Sequence, residues 1–134
     1  CAVIHPYAAV VAGIVGGLLY IGSTMVILRL GIDDPLESFP IHGVGGIWGC
    51  LVPALFSDPA LQAMNGYHVK SWGLFYRGGG LLLACNCIAI LSAISLTLAI
   101  FIPFFLIMNR LGLLRVSEEE EVIGTDFGGL GGYA

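Results

Sequence analysis

The stretch F-P-I-H-G-V-G-G-I-W-G, residues 39–49, sets one imidazole in a run with no other ionisable side chain. A charge in the middle of hydrocarbon costs roughly 3 kcal/mol or more, so an ionisable residue inside an apolar segment is a functional candidate by default. His42 can relay a proton, hydrogen-bond a substrate or ligate a metal. The other candidates are plainer. His5 stands near the start of an apolar run, directly before Pro6, and His68 lies among polar residues as an exposed loop histidine. Cys1, Cys50, Cys85 and Cys87 lack disulfide or zinc spacing and read as small core residues. On a helix, residues two apart point about 200° from each other, so Cys85 and Cys87 cannot share a metal there. No cofactor and no enzymatic chemistry is expected.

The elements that position His42 follow from composition. Of 134 residues, 57% are hydrophobic and only 10% are charged, with a mean hydropathy of +0.95. Soluble domains sit near 25% charged, so the chain reads as an all-α integral membrane protein. The net charge of −4 lies mostly in Glu118–Glu121, and no basic cluster points to nucleic acid. The chain begins at Cys1 in an apolar run, without the pattern of a signal peptide. It is expected to be the carboxy-terminal part of a longer protein.

About 20 residues cross a roughly 30 Å hydrocarbon core, and three runs are long enough. The first covers about 2–28 and ends at Arg29, with Gly13 and Gly17 offering a close-packing step. Asp34-Pro35 reads as a helix start in which the Asp34 carboxylate caps free amides, Pro35 takes the first position and Glu37 faces the positive helix end. The second span then covers about 36–56. It holds His42 about two turns deep, with Gly43, Gly46 and Cys50 close to one face, and Gly45 and Gly49 as a further small pair. Each glycine weakens a helix by roughly 1 kcal/mol relative to alanine, so close neighbours must support this span. Residues 57–80 read as an irregular polar loop with Trp72, Phe75 and Tyr76 suited to the membrane interface. The third span covers about 81–108. Its Asn86 is expected to bond a neighbouring helix, and Pro103 to bend its end. Residues 1–108 form the membrane part, and 109–134 a polar tail in which Ser117 and Glu120 can form a capping box. With the tail inside, three arginines (29, 110 and 115) face Lys70 and Arg77 outside, a slight positive-inside bias.

At D-D-P-L-E-S-F-P-I-H-G-V-G-G-I-W-G the sequence resembles the ammonium transporter (Amt/Mep/Rh) family. The upstream C-A-V-I-H-P-Y-A-A-V-V-A-G is similar to the start of the family's ninth helix. The end, L-L-R-V-S-E-E-E-E-V-I-G-T-D-F-G-G-L-G-G-Y-A, is similar to its cytosolic tail. Trp72 and the triplet Gly78-Gly79-Gly80 lean towards the plant-type branch. The resemblance implies an eleven-helix inverted-repeat fold, of which this chain covers the last three helices and the tail. It also implies a homotrimer with one pore per subunit, in the plasma membrane, carrying ammonium or ammonia. His42 matches the second of two touching pore histidines, and Gly43, Gly45, Gly46 and Gly49 then pack helices closely around that pore. Three positions depart from the family pattern: Pro40 precedes His42 by two residues, Leu130 replaces a histidine, and Gly128 stands where plant-type members carry a regulatory threonine.

Two other readings compete. His5 and His42 could ligate a haem between adjacent helices, or the chain could be a structural or assembly subunit of a membrane complex.

Overall fold

The computed structural model describes residues 2–115; Cys1 and the tail beyond Arg115, with the expected capping box, acidic run, Gly128 and Leu130, lie outside the described residues. Within them the chain is helical, without strands: α1 (Pro6–Arg29), a π-helical turn (Phe39–Val44) running straight into α2 (Gly45–Phe56), the short α3 (Pro59–Met64), a 3₁₀ turn (Leu74–Tyr76) and α4 (Leu81–Arg110). Three helices are long and apolar enough to cross a membrane: Pro6–Arg29, Phe39–Phe56 and Leu81–Arg110. The chain divides into two compact units, Cys1–Ser92 and Ala93–Ala134.

Physical reasons for the helix ends are visible at each terminus. α1 starts at Pro6, later than composition predicts, because residues 2–5 are drawn off to another partner: the amide of Asp58 donates to Val3 O at 2.9 Å and Asn65 Nδ2 donates to Ala2 O at 2.8 Å. α1 and α4 end on the same tripeptide, Arg29-Leu30-Gly31 and Arg110-Leu111-Gly112. In both, the glycine takes a left-handed φ, +65° and +69°. Its amide and the next one fold back onto the last turn, as in Gly31 to Leu28 and Ile32 to Ile27. That is the Schellman closure, which needs a residue without Cβ strain and satisfies carbonyls the helix leaves open. The arginine of each last turn complements the negative helix end.

The second helix departs from its expected start. Asp34-Pro35 does not open it; residues 34–37 make a turn closed by the Glu37 amide donating to Asp34 O at 3.0 Å. Glu37 then takes φ 52°, which interrupts helical geometry, and the helix begins at Phe39. The Asp34 carboxylate reaches forward instead, accepting from the amides of Ser38 at 2.8 Å and Phe39 at 2.9 Å. Glu37 is therefore outside the helix rather than in its first turn.

The loop between α2 and α4 is more ordered than its composition indicates. Asp58-Pro59 makes the direct cap that Asp34-Pro35 does not: its carboxylate accepts from Ala60 N at 2.7 Å and Leu61 N at 3.3 Å and opens α3. Gly73 is buried against the turn after α2, donating to Ser57 O at 2.9 Å. A Cβ at Gly73 would meet backbone atoms of Leu55 and Ser57 at 2.6 Å, so only glycine fits that approach. Phe75 closes the contact edge-on against Phe56, ring centroids 5.0 Å apart.

Few side chains are buried: Ala8, Pro40, Val52, Ala54 and Ser57 form the small interior of the first unit. Large apolar residues on α1, such as Ile14 and Leu18, are mostly exposed. A helix apolar all round belongs in a membrane or among other helices. α4 keeps one polar tie in the first unit: Asn86 Nδ2 donates to Cys50 O at 2.7 Å, the interhelical bond expected of this amide. In the second unit α4 continues past Pro103 to Arg110, and Phe101, Phe104 and Phe105 pack ring to ring at 5.3–6.3 Å.

Candidate functional site

His42 sits in the π-helical turn, not in regular α-helix. Pro40, buried one turn back, brings no amide to the ladder. The amide of Gly45 reaches back to the carbonyl of Pro40, five residues away, which marks the wide turn. Such turns are rare, and they concentrate at functional sites. The His42 ring is exposed within this chain and holds no hydrogen bond among the described residues. Phe39 covers the neighbouring backbone: a Cβ at Gly43 would meet its ring at 3.0 Å. Gly45 lies close to Pro40 O, at 3.6 Å from a built Cβ, while Gly46 and Gly49 meet nothing within 4 Å.

α1 supports this segment from one side. Trp48 lies across Gly16, whose missing side chain admits the indole, and its Nε1 donates to Ala12 O at 2.8 Å. The expected close-packing pair, Gly13 and Gly17, has no such neighbour; Gly16 provides the contact because it faces Trp48. Lower on α1, the Tyr20 hydroxyl donates to the Glu37 carboxylate. The peptide turn of Glu37 in turn feeds the helix start, its carbonyl accepting from Ile41 N at 3.0 Å.

A second polar cluster escaped the sequence reading. His5 Nε2 lies 3.2 Å from Asp58 Oδ2, the His5 ring stacks on Tyr7 at 5.4 Å, and the Tyr7 and Tyr76 hydroxyls share a hydrogen bond. Burial alone would push the Asp58 carboxyl up, but hydrogen bonds from His5 and from the Ala60 and Leu61 amides together hold it below the usual carboxylate range. Tyr76 is pushed up to about 12 by its bond to Tyr7, with burial adding to the effect. The signal was available only in part. Asp58-Pro59 announces a cap, but nothing in sequence spacing pairs positions 5 and 58.

These positions also decide between readings. His5 belongs beside residue 58, past the far end of α2, whereas His42 precedes α2. The helix from His42 to Phe56 rises about 21 Å, so the two imidazoles cannot share one haem iron. His68 is exposed, as expected of a loop histidine, and with Lys70 it lines a cavity of about 340 Å³. Within this chain Cys50, Cys85 and Cys87 are exposed free thiols.

Comparison with known proteins adds an independent finding. The profile of the Ammonium Transporter Family matches residues 1–133. The rice protein named ammonium transporter 1 member 2 is 40% identical over 138 residues, covering 100% of this chain and 27% of its own length. The tomato ammonium transporter 1 member 1 is 38% identical, covering 100% of this chain and 28% of its own length. Arabidopsis putative ammonium transporter 1 member 5 is 37% identical over the whole chain. The chain thus spans little more than a quarter of the length of the relatives it matches. No solved structure matches it.

Proposed function

The chain belongs to the ammonium transporter family, and from that premise we propose that it forms part of a pore for ammonium or ammonia, with His42 in its lining. The observation that carries the reading is the placement of His42: a lone ionisable ring in an apolar helix, presented on a π-helical turn and holding no partner among the described residues. A narrow apolar passage is costly for a charged ion. A neutral imidazole offers one donor and one acceptor nitrogen, so the ring can replace part of the substrate's hydration or pass a proton on. A second histidine from outside this chain, touching the first, extends that polar path in the reading.

Around the ring, Gly43, Gly45, Gly46 and Gly49 keep the helix thin enough for neighbouring helices to approach. Gly46 and Gly49, open in this chain, fit contacts to helices supplied by the rest of the protein. The same reading places residues 1–108 in the membrane and 109–134 in the cytosol, in a multi-pass plasma-membrane protein assembled as a homotrimer. A transport role rather than an enzymatic one is the consequence.

The test is His42→Ala in the full-length parent, with ammonium and potassium currents recorded at matched surface expression. The ammonium-to-potassium ratio is expected to change several-fold, and His68→Ala to leave it unaltered. An unchanged rate and ratio in His42→Ala would remove the residue from the pore. Matched surface expression separates a change in conduction from a change in folding.

A further inference from the structure

We infer that Tyr20 is a positioning residue for His42, acting through Glu37 and the π-helical turn; the inference rests on the pore reading of His42. Two side-chain ties fasten the His42 segment to α1. The Tyr20 hydroxyl bonds the Glu37 carboxylate five residues before His42, and the Trp48 indole bonds Ala12 O, at 2.8 Å, six residues after it. Their anchors on α1 are eight residues apart, a rise of about 12 Å, so the two ties bracket the turn that carries the imidazole.

Glu37 is the sensitive member. Its φ of 52° lies in a region that residues other than glycine seldom adopt. Such a conformation persists only where its surroundings hold it. The main chain is held on both sides, by Asp34 O behind at 3.0 Å and by the Ile41 amide ahead at 3.0 Å. Among the described residues, Tyr20 alone bonds the Glu37 side chain. Ile41 is the residue before His42, so a change at Glu37 reaches the imidazole through one peptide. The Glu37 carbonyl bonds the Ile41 amide inside the π turn, so a shift of the Glu37 backbone displaces the turn that carries His42. The Trp48 tie uses a backbone carbonyl and does not involve Tyr20, so its loss is not expected when the hydroxyl is removed.

The experiment compares variants of the full-length parent at matched surface expression, reading the ammonium-to-potassium current ratio rather than current size. Tyr20→Phe and Glu37→Ala are expected to shift the ratio several-fold in the direction of His42→Ala. Glu37→Gln, which keeps an acceptor for the hydroxyl, retains the parental ratio. The double variant Tyr20→Phe/His42→Ala matches His42→Ala alone, because the tie has nothing left to position. A parental ratio in Tyr20→Phe beside a changed His42→Ala overturns the inference and spares the pore reading. Independent, additive shifts in the double variant overturn it as well. A silent His42→Ala defeats the pore reading itself, and this inference with it. Should Tyr20→Phe fail to reach the membrane, the contrast between Glu37→Ala and Glu37→Gln decides from the other side of the bond.

Discussion

His42 was legible because its signal is compositional: one titratable ring in a charge-free run stands out whatever the helix does. His5 gave no comparable signal. Its partner is 53 residues away in sequence, and the contact depends on residues 2–5 leaving the helix, which no periodicity records. The Tyr7–Tyr76 bond gives a prediction at this scale. Tyr76 is raised above the ordinary 10.0 to about 12 because its neutral hydroxyl is bonded to Tyr7. A raised folded value means that this contribution is complete below pH 10.0 and is lost as pH rises through about 12. In Tyr7→Phe the phenolate of Tyr76 is expected to form nearer pH 10.0, visible as ultraviolet difference absorbance against Tyr76→Phe.

Among the elements, the three spans were legible from length and hydropathy, whereas their ends were not. The Asp-Pro pair illustrates why. At 58–59 it caps a helix directly, but at 34–35 it builds a turn first and lends its carboxylate to amides four and five residues on. The residues that follow the pair differ: at the first site Glu37 takes φ 52° with its side chain bonded to Tyr20 on another helix, whereas at the second Ala60 and Leu61 continue as helix. The π-helical turn was equally hidden, because a shift from four-residue to five-residue hydrogen bonding over six positions leaves no hydrophobic period to count. One amide bonds α4 to α2. Asn86→Leu removes its bond to Cys50 O and is expected to cost about 0.6–2 kcal/mol of helix association. Thermal denaturation of the detergent-solubilised full-length parent checks this, and a gain in melting temperature contradicts it.

At the scale of the molecule, apolar composition announced the membrane and the motifs announced the family, yet neither shows which surfaces meet lipid and which meet protein. Most large apolar side chains of α1 and α4 are uncovered in this chain. A pore lined from several sides therefore needs walls from elsewhere in the protein. Proteoliposomes holding only these 134 residues are expected to take up no ammonium above empty liposomes, whereas the full-length parent does; saturable uptake by the chain alone refutes the proposal. One earlier detail bears on how such a protein is made. The start of α1 is clasped by residues that emerge much later: Asp58 holds Val3 and His5, and Tyr76 holds Tyr7 from 69 positions on. At synthesis rates of roughly 5–20 residues per second, those 69 positions take roughly 3–14 s to appear. Through that interval the start of the first helix is without this clasp. The clasp is thus a late event in biogenesis, closing only after two spans and the turn between them have been made and the chain has returned to the side where α1 began.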